Sequence, residues 1–447
     1  MSAAPVDERP SPDGRPRFDL LVQGGELVGP GTGRSGRYDV AVKEGRVASV
    51  APDIPRHLAA EVVDARGCIV VPGLVDLHTH LFFGGTYWGV DPRPVAWRTG
   101  VTSWVDAGSA GAYNIAALRR LSAGLAPLHT RAFVNISSIG LVAETGEARR
   151  QDLCDPGLCA AAAEEHRDFV VGIKCRLDRF ATGEMGLAPL RLAVQAAAVA
   201  GLPVMAHIGG GPPDIDDVLD LLRPGDLVTH CTTGQDMSLV IGKGRLRPSA
   251  MRARERGVLF DVGHGSGGFS FAVAESMLAA GAPPDVISSD LHQRSVLGPG
   301  FDLPTCMSKF LAIGMSLEDV VRAATTSPAR VFAGGRSAEH AGSLAVGEPA
   351  DLAIFELEVG DFALYDTYLE CRQANRFFVN RATVVAGVLL APVASAPPAH
   401  WIELTPAQRA LFESRAAGPR RPWATILTEP DNYLRLSIGE PPNMQGE

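Results

Sequence analysis

Two histidines separated by one residue, His78 and His80 in VVPGLVDLHTH, could share one face of a strand and chelate one cation. A lone His-x-His is a weak signal, but this pair ends an apolar run behind Pro72 and Gly73. Further along, Lys174 in DFVVGIKCR, His207 in PVMAHIGG, His230 in DLVTHC and Asp290 in VISSD close similar runs. Each has a plain explanation by itself. The histidines could be satisfied core groups, and the lysine could snorkel outward or pair with a carboxylate. A buried, unpaired ammonium is costly, however. The other reading of Lys174 is a neutral amine that has taken up carbon dioxide, forming a carbamate whose two oxygens bridge two cations. Asp290 could bind the first metal and accept a proton. The order HxH, K, H, H, D on successive runs is hard to reach by chance.

These residues need a scaffold that brings run ends together. Eight apolar runs of strand length lie between residues 74 and 288, with helical patterns such as PLRLAVQAAAVAG and SFAVAESMLAAG between them. That alternation predicts an α/β fold, a (β/α)8 TIM-type barrel over 73–333, whose strand C-termini open onto an active site. An open doubly wound sheet fits less well, because no glycine-rich phosphate fingerprint follows the first strand. Residues 18–72 and 340–391 read as short strands and turns, predicting a small flanking β-sandwich built from both chain ends. Residues 1–17 read as a disordered tail. APVASAPPAH reads as a linker into a C-terminal extension, 392–447, with one short helix capped by Thr405 and stopped at Gly418. That composition break predicts that removing residues from about 400 onward leaves the metal site intact.

The local phrases VPGLVDLHTH, GVTSWVDAGSAGA, VGIKCR, GDLVTHC, FDVGHGSGGFSF, ISSDLH and GSLAVGEPADLAIF resemble the amidohydrolase superfamily, in particular its dihydroorotase-like deacetylase group. The resemblance covers about residues 65 to 357 and leaves out the last 50 or so. It implies that His78, His80 and Asp290 hold the more buried metal and that His207 and His230 hold the second. Lys174, as N6-carboxylysine, would bridge the two. The metals implied are two divalent ions, zinc being usual. Two such ions make a hydroxide available near neutral pH and polarise a carbonyl, with Asp290 shuttling the proton. The implied reaction is deacylation, chiefly deacetylation, of small carboxylate-bearing amides or esters such as N-acyl-D-amino acids. Ring opening of a cyclic amide is the runner-up, and a non-catalytic assembly protein of the same fold a distant third. A deaminase would carry a glutamate just beyond the strand-five histidine, where this chain has IGGGPPD. Candidate substrate contacts are Arg176, which a rim salt bridge would equally explain, His264, His292, Asn135 and Tyr87.

Composition narrows the partners. The net charge of −9, with acids and bases interspersed, gives no support to nucleic-acid binding. No apolar run is long enough to span a bilayer. Seven scattered cysteines read as reduced thiols, so the expected compartment is the cytoplasm. The expected partners are a small-molecule substrate and further copies of the same chain.

Overall fold

The computed structural model describes residues 15–29, 34–333, 342–413 and 421–433. Parts of the expected N-terminal tail and the expected helix stop at Gly418 lie outside the described residues. Seven strands form one parallel sheet in the order of the chain: Leu74–Thr79, Val101–Gly111, His129–Asn135, Val170–Arg176, Val204–His207, Leu227–Thr229 and Leu259–Asp261. Both faces of this sheet are buried, the outer under helices and the inner against the barrel's own side chains, which is why these strands read as continuous apolar runs. The first two are buried along their whole length.

The eighth run, around Val286–Ser288, forms bridges rather than a regular strand. Val286 bridges Asp261 and Leu291 bridges Thr79, both in parallel, and this closes the ring. Side chains replace part of the missing ladder. Ser288 Oγ donates to Asp261 Oδ1 at 2.6 Å, and Ser289 N donates to Asp76 Oδ1 at 3.0 Å. Asp290 then takes a left-handed φ of 47°, which ends strand geometry there.

Two further sheets share a core beside the barrel. One, of four strands, comes from the N-terminal part, and the other, of six, joins Ile69–Pro72 to Leu352–Tyr365 in antiparallel register. Leu20, Val22, Val40 and Val70 pack there against Leu352, Ile354 and Val384. The long strands Leu352–Tyr365 and Cys371–Val385 reach beyond this core onto the barrel, where Ser308 Oγ accepts from Phe378 N at 3.1 Å. A small hairpin, Val240–Gly242 with Arg245–Leu246, stands between the sixth and seventh barrel strands and has no counterpart in the sequence expectations.

The C-terminal helix is present as Pro406–Glu413, with Thr405 Oγ1 accepting from Gln408 N at 3.2 Å. The extension packs on the barrel, since Trp423 and Tyr433 are buried in the main core cluster. Among the described residues no helix is long and apolar enough to cross a membrane.

Candidate metal centre

The strand ends bring all six chemistry-bearing residues to one floor. His78 and Lys174 lie on their strands, His80 just beyond the first, His207 closes the fifth, and His230 follows the sixth. His230 and Asp290 are non-glycine residues in the left-handed region, with φ of 67° and 47°. Such a conformation costs roughly 1–3 kcal/mol and persists where surrounding structure demands it. Here it swings both side chains inward. His78, His80 and Asp290 offer ligand atoms all within 4.8 Å of one another. His207 Nδ1 and His230 Nε2 are 2.8 Å apart, and Lys174 Nζ lies 3.1 Å from His78 Nε2. Two glycines make room. A Cβ on Gly265 would stand 2.3 Å from Asp290 Oδ2, and one on Gly268 would stand 2.5 Å from His230 Nδ1.

Hydrogen bonding on the far side of each ring fixes which nitrogen carries the proton. His230 Nδ1 is 2.6 Å from the Gly263 carbonyl, which can only accept, so this nitrogen is protonated. His207 Nε2 faces Asp178 Oδ2 at 3.4 Å and is protonated for the same reason. His78 Nδ1 is 2.8 Å from Thr229 Oγ1, whose own hydrogen goes to Asp261 Oδ2 at 2.6 Å. His80 Nδ1 is 2.8 Å from Ser109 Oγ, which in turn bonds Asp106. All four imidazoles therefore turn a bare lone pair toward the floor. His78 Nε2 and His80 Nε2 face Asp290 Oδ1 at 3.4 and 3.2 Å, and that buried oxygen has no hydrogen-bond donor. Two lone pairs 2.8 Å apart, and two more on an anionic oxygen, repel unless a cation lies among them. The donor set fits divalent metal.

Burial pushes His78 and His230 well below the usual histidine range, with the Lys174 ammonium and His207 respectively as the next causes. Burial brings Lys174 down to about 8. Its amine has His78 Nε2 and, at 3.5 Å, the weak acceptor Met205 Sδ. An ammonium with three donors is poorly served there.

Above the floor opens a cavity of about 350 Å³, with Trp88, Phe180 and Ile208 as apolar wall and Arg176, Asp178 and His292 among its polar groups. His292 Nδ1 accepts from Arg294 N and Ser295 N, both at 3.1 Å, so its protonated Nε2 faces inward. Burial pushes this histidine down to about 3, which keeps it neutral. Arg176 lies against the buried Glu147 at 2.9 Å and Asp178 at 3.9 Å, the rim pairing that the sequence left open.

Three expected substrate contacts do not reach the cavity. His264 is turned into the protein, its Nε2 2.7 Å from the buried Lys309 amine and its ring stacked on Phe269. Asn135 lies beneath, donating to Gly108 O and accepting from Ser137 N. Tyr87 packs outside Trp88 under the Arg294 guanidinium. Sequence reasoning missed Asp178, Asp261, Thr229 and Ser109, the groups that set the tautomers. Asp261 ends a barrel strand and Thr229 precedes His230, so both carried a positional signal. Ser109 carried none.

Comparison with known proteins identifies the family. The family described as "Amidohydrolase family" matches residues 266–392. A deacetylase of Brucella anthropi is 37% identical over 348 residues, 77% of this chain and 85% of that protein. A solved structure titled as a dihydroorotase superposes with a TM-score of 0.76 at 34% identity, covering 85% of this chain and 99% of the other. Another, titled as an adenine deaminase, gives a TM-score of 0.76 at 33% identity, covering 83% and 99%.

Proposed function

The chain belongs to the amidohydrolase superfamily and is a hydrolytic enzyme, and we propose that it removes acyl groups, acetyl above all, from small carboxylate-bearing N-acyl or O-acyl compounds such as N-acyl-D-amino acids. The observation that carries this reading is the convergence of the unprotonated His78 and His80 nitrogens on the unpartnered Asp290 oxygen, with those of His207 and His230 paired on the same floor of a barrel cavity. The likeness to a deacetylase directs the choice of leaving group.

His78, His80 and Asp290 would hold one divalent ion, His207 and His230 a second, and Lys174 as a carbamate would join the two. The nitrogen and oxygen donors suit zinc. When bound, such ions activate water at neutral pH and polarise the scissile carbonyl. Asp290 takes the proton from the attacking water and delivers it to the leaving nitrogen or oxygen as the acyl bond breaks. His292, held neutral, donates from Nε2 to a substrate oxygen. Arg176 orients a substrate carboxylate through what its pairing with Glu147 leaves free.

The test is an assay of metal-loaded protein on N-acyl amino acids of both configurations, acyl esters and cyclic amides. Acyl release with preference for the D series is the expected outcome. Ring opening without acyl release would replace this reading with the cyclic-amide one. Deamination of a purine would contradict the step from His207 straight into Ile208, Gly209 and Gly210.

A further inference from the structure

The segment between Asp290 and the helix Leu303–Ala312 carries one 3-10 turn, Ser295–Leu297, yet it is almost wholly buried. Irregular backbone is rarely buried, because its polar groups then need partners supplied from elsewhere. Most are found locally. Ser295 O accepts from Phe301 N at 2.8 Å, and Pro299 O accepts from Lys309 Nζ at 2.8 Å. The Leu297 carbonyl is served from far along the chain, by Gln408 Nε2 at 3.2 Å. Gln408 is itself fully buried, and it also donates to Asn432 O at 2.6 Å and accepts from Thr405 N at 2.9 Å. Next to it the Tyr433 ring meets Phe301 at 5.2 Å between centroids. A Cβ on Gly298 would lie 2.9 Å from Tyr433 Cδ1. Phe301 holds a left-handed φ of 57°, a strained state that needs surrounding support.

The same segment is gripped at its other end. Trp401, 48% exposed, stacks on Tyr87 at 6.4 Å, and Tyr87 and Trp88 lie under Arg294. Trp88 meets His292 edge-on at 4.7 Å. Ser295 Oγ donates to the Asp290 carbonyl at 2.8 Å, which ties the gripped segment to the backbone that holds Asp290 in its left-handed turn.

We propose that Trp401, Gln408 and Tyr433 form a brace that positions Asp290 and His292, making these described parts of the C-terminal extension part of the catalytic architecture. Gln408 and Tyr433 are positioning residues, since neither reaches the cavity. This rests on the reading of Asp290 as metal ligand and proton carrier. The test compares Gln408→Leu, Tyr433→Ala and Tyr433→Phe with a surface control, Glu403→Ala, in the full chain. Amide hydrogen exchange over residues 291–302 reads the brace without any metal. Chelator competition with zinc reads the site, and kcat against KM reads the chemistry.

Gln408→Leu and Tyr433→Ala should expose the segment to exchange and weaken zinc binding about 10–100-fold, with kcat falling and KM nearly constant. Tyr433→Phe, which keeps the ring, should match the parent. Unchanged exchange in both disruptive variants overturns the brace. Faster exchange with unchanged zinc affinity and kcat overturns the positioning role. If one disruptive variant does not fold, the other, set against Tyr433→Phe and Glu403→Ala, decides the same question. A parent protein that binds no zinc would count against the metal reading, and exchange would still judge the brace.

Discussion

The floor of the cavity and its wall are built on opposite plans. On the floor, four histidines and Asp290 come from strand ends, and every ring is backed by a partner that strips its inner nitrogen of a proton. On the wall, charge is cancelled in place, Arg176 by Glu147 and Arg294 by Glu144 at 2.9 Å, and Phe180 stands 56% exposed. The floor leaves a deficit that only a cation fills. The wall leaves little, so on the proposed reading it would select substrate by shape, apolar contact and the few donors left free, Arg176 among them. In a barrel, strand ends carry reaction chemistry while loops adjust what reaches it.

The largest effects should come from the floor. Chelation, His78→Ala or Asp290→Asn should each lower kcat/KM by at least about 1000-fold, since a proton carrier and a metal site are lost together. A fully active preparation shown to be metal-free would break the comparison outright. Lys174→Ala should come next, losing one of two bound ions and about 100-fold or more in rate. Acetate or propionate should restore part of both, because a short carboxylate can take the carbamate's place, whereas Lys174→Arg should stay inactive. Density or mass beyond the lysine nitrogen would be the direct sign. A plain Lys174 turned from the ions in active, bicarbonate-supplied protein would remove it from the floor.

Smaller losses should follow from the partners behind the rings. Thr229→Val and Asp178→Ala should weaken metal binding about 10–100-fold, measured by chelator competition, while the ligands themselves remain. The wall should show the least. Phe180→Ala should raise KM a few-fold and leave kcat and metal content alone. A fall in kcat as deep as that of Asp178→Ala would mean that the wall takes part in the chemistry.

Much of the floor was legible in the chain because it obeys short-range rules. Alternation along a strand puts His78 and His80 close together, and apolar runs ending in Lys174, His207 and His230 announce buried parallel strands with reactive ends. The barrel itself follows from the same alternation. The eighth position was harder to read, since Ser288 and Ser289 bond Asp261 and Asp76 through side chains where a strand would use its backbone.

What the chain could not announce is every pairing between residues distant in sequence. His264 has the same strand-end placement as His230, yet Lys309, 45 positions later, draws it out of the cavity. Arg176 reads as a free anchor until Glu147, from another loop, is placed against it. Gln408 and Tyr433 follow a composition break that looks like a linker, and only packing brings them onto the segment that leads from Asp290. The sequence by itself determined the six chemistry-bearing residues and the barrel that gathers them, because strand periodicity is local. Tertiary structure alone decided which face of each imidazole is bare, which cations are already paired and what braces the eighth position, because each rests on contacts that leave no pattern in neighbouring residues.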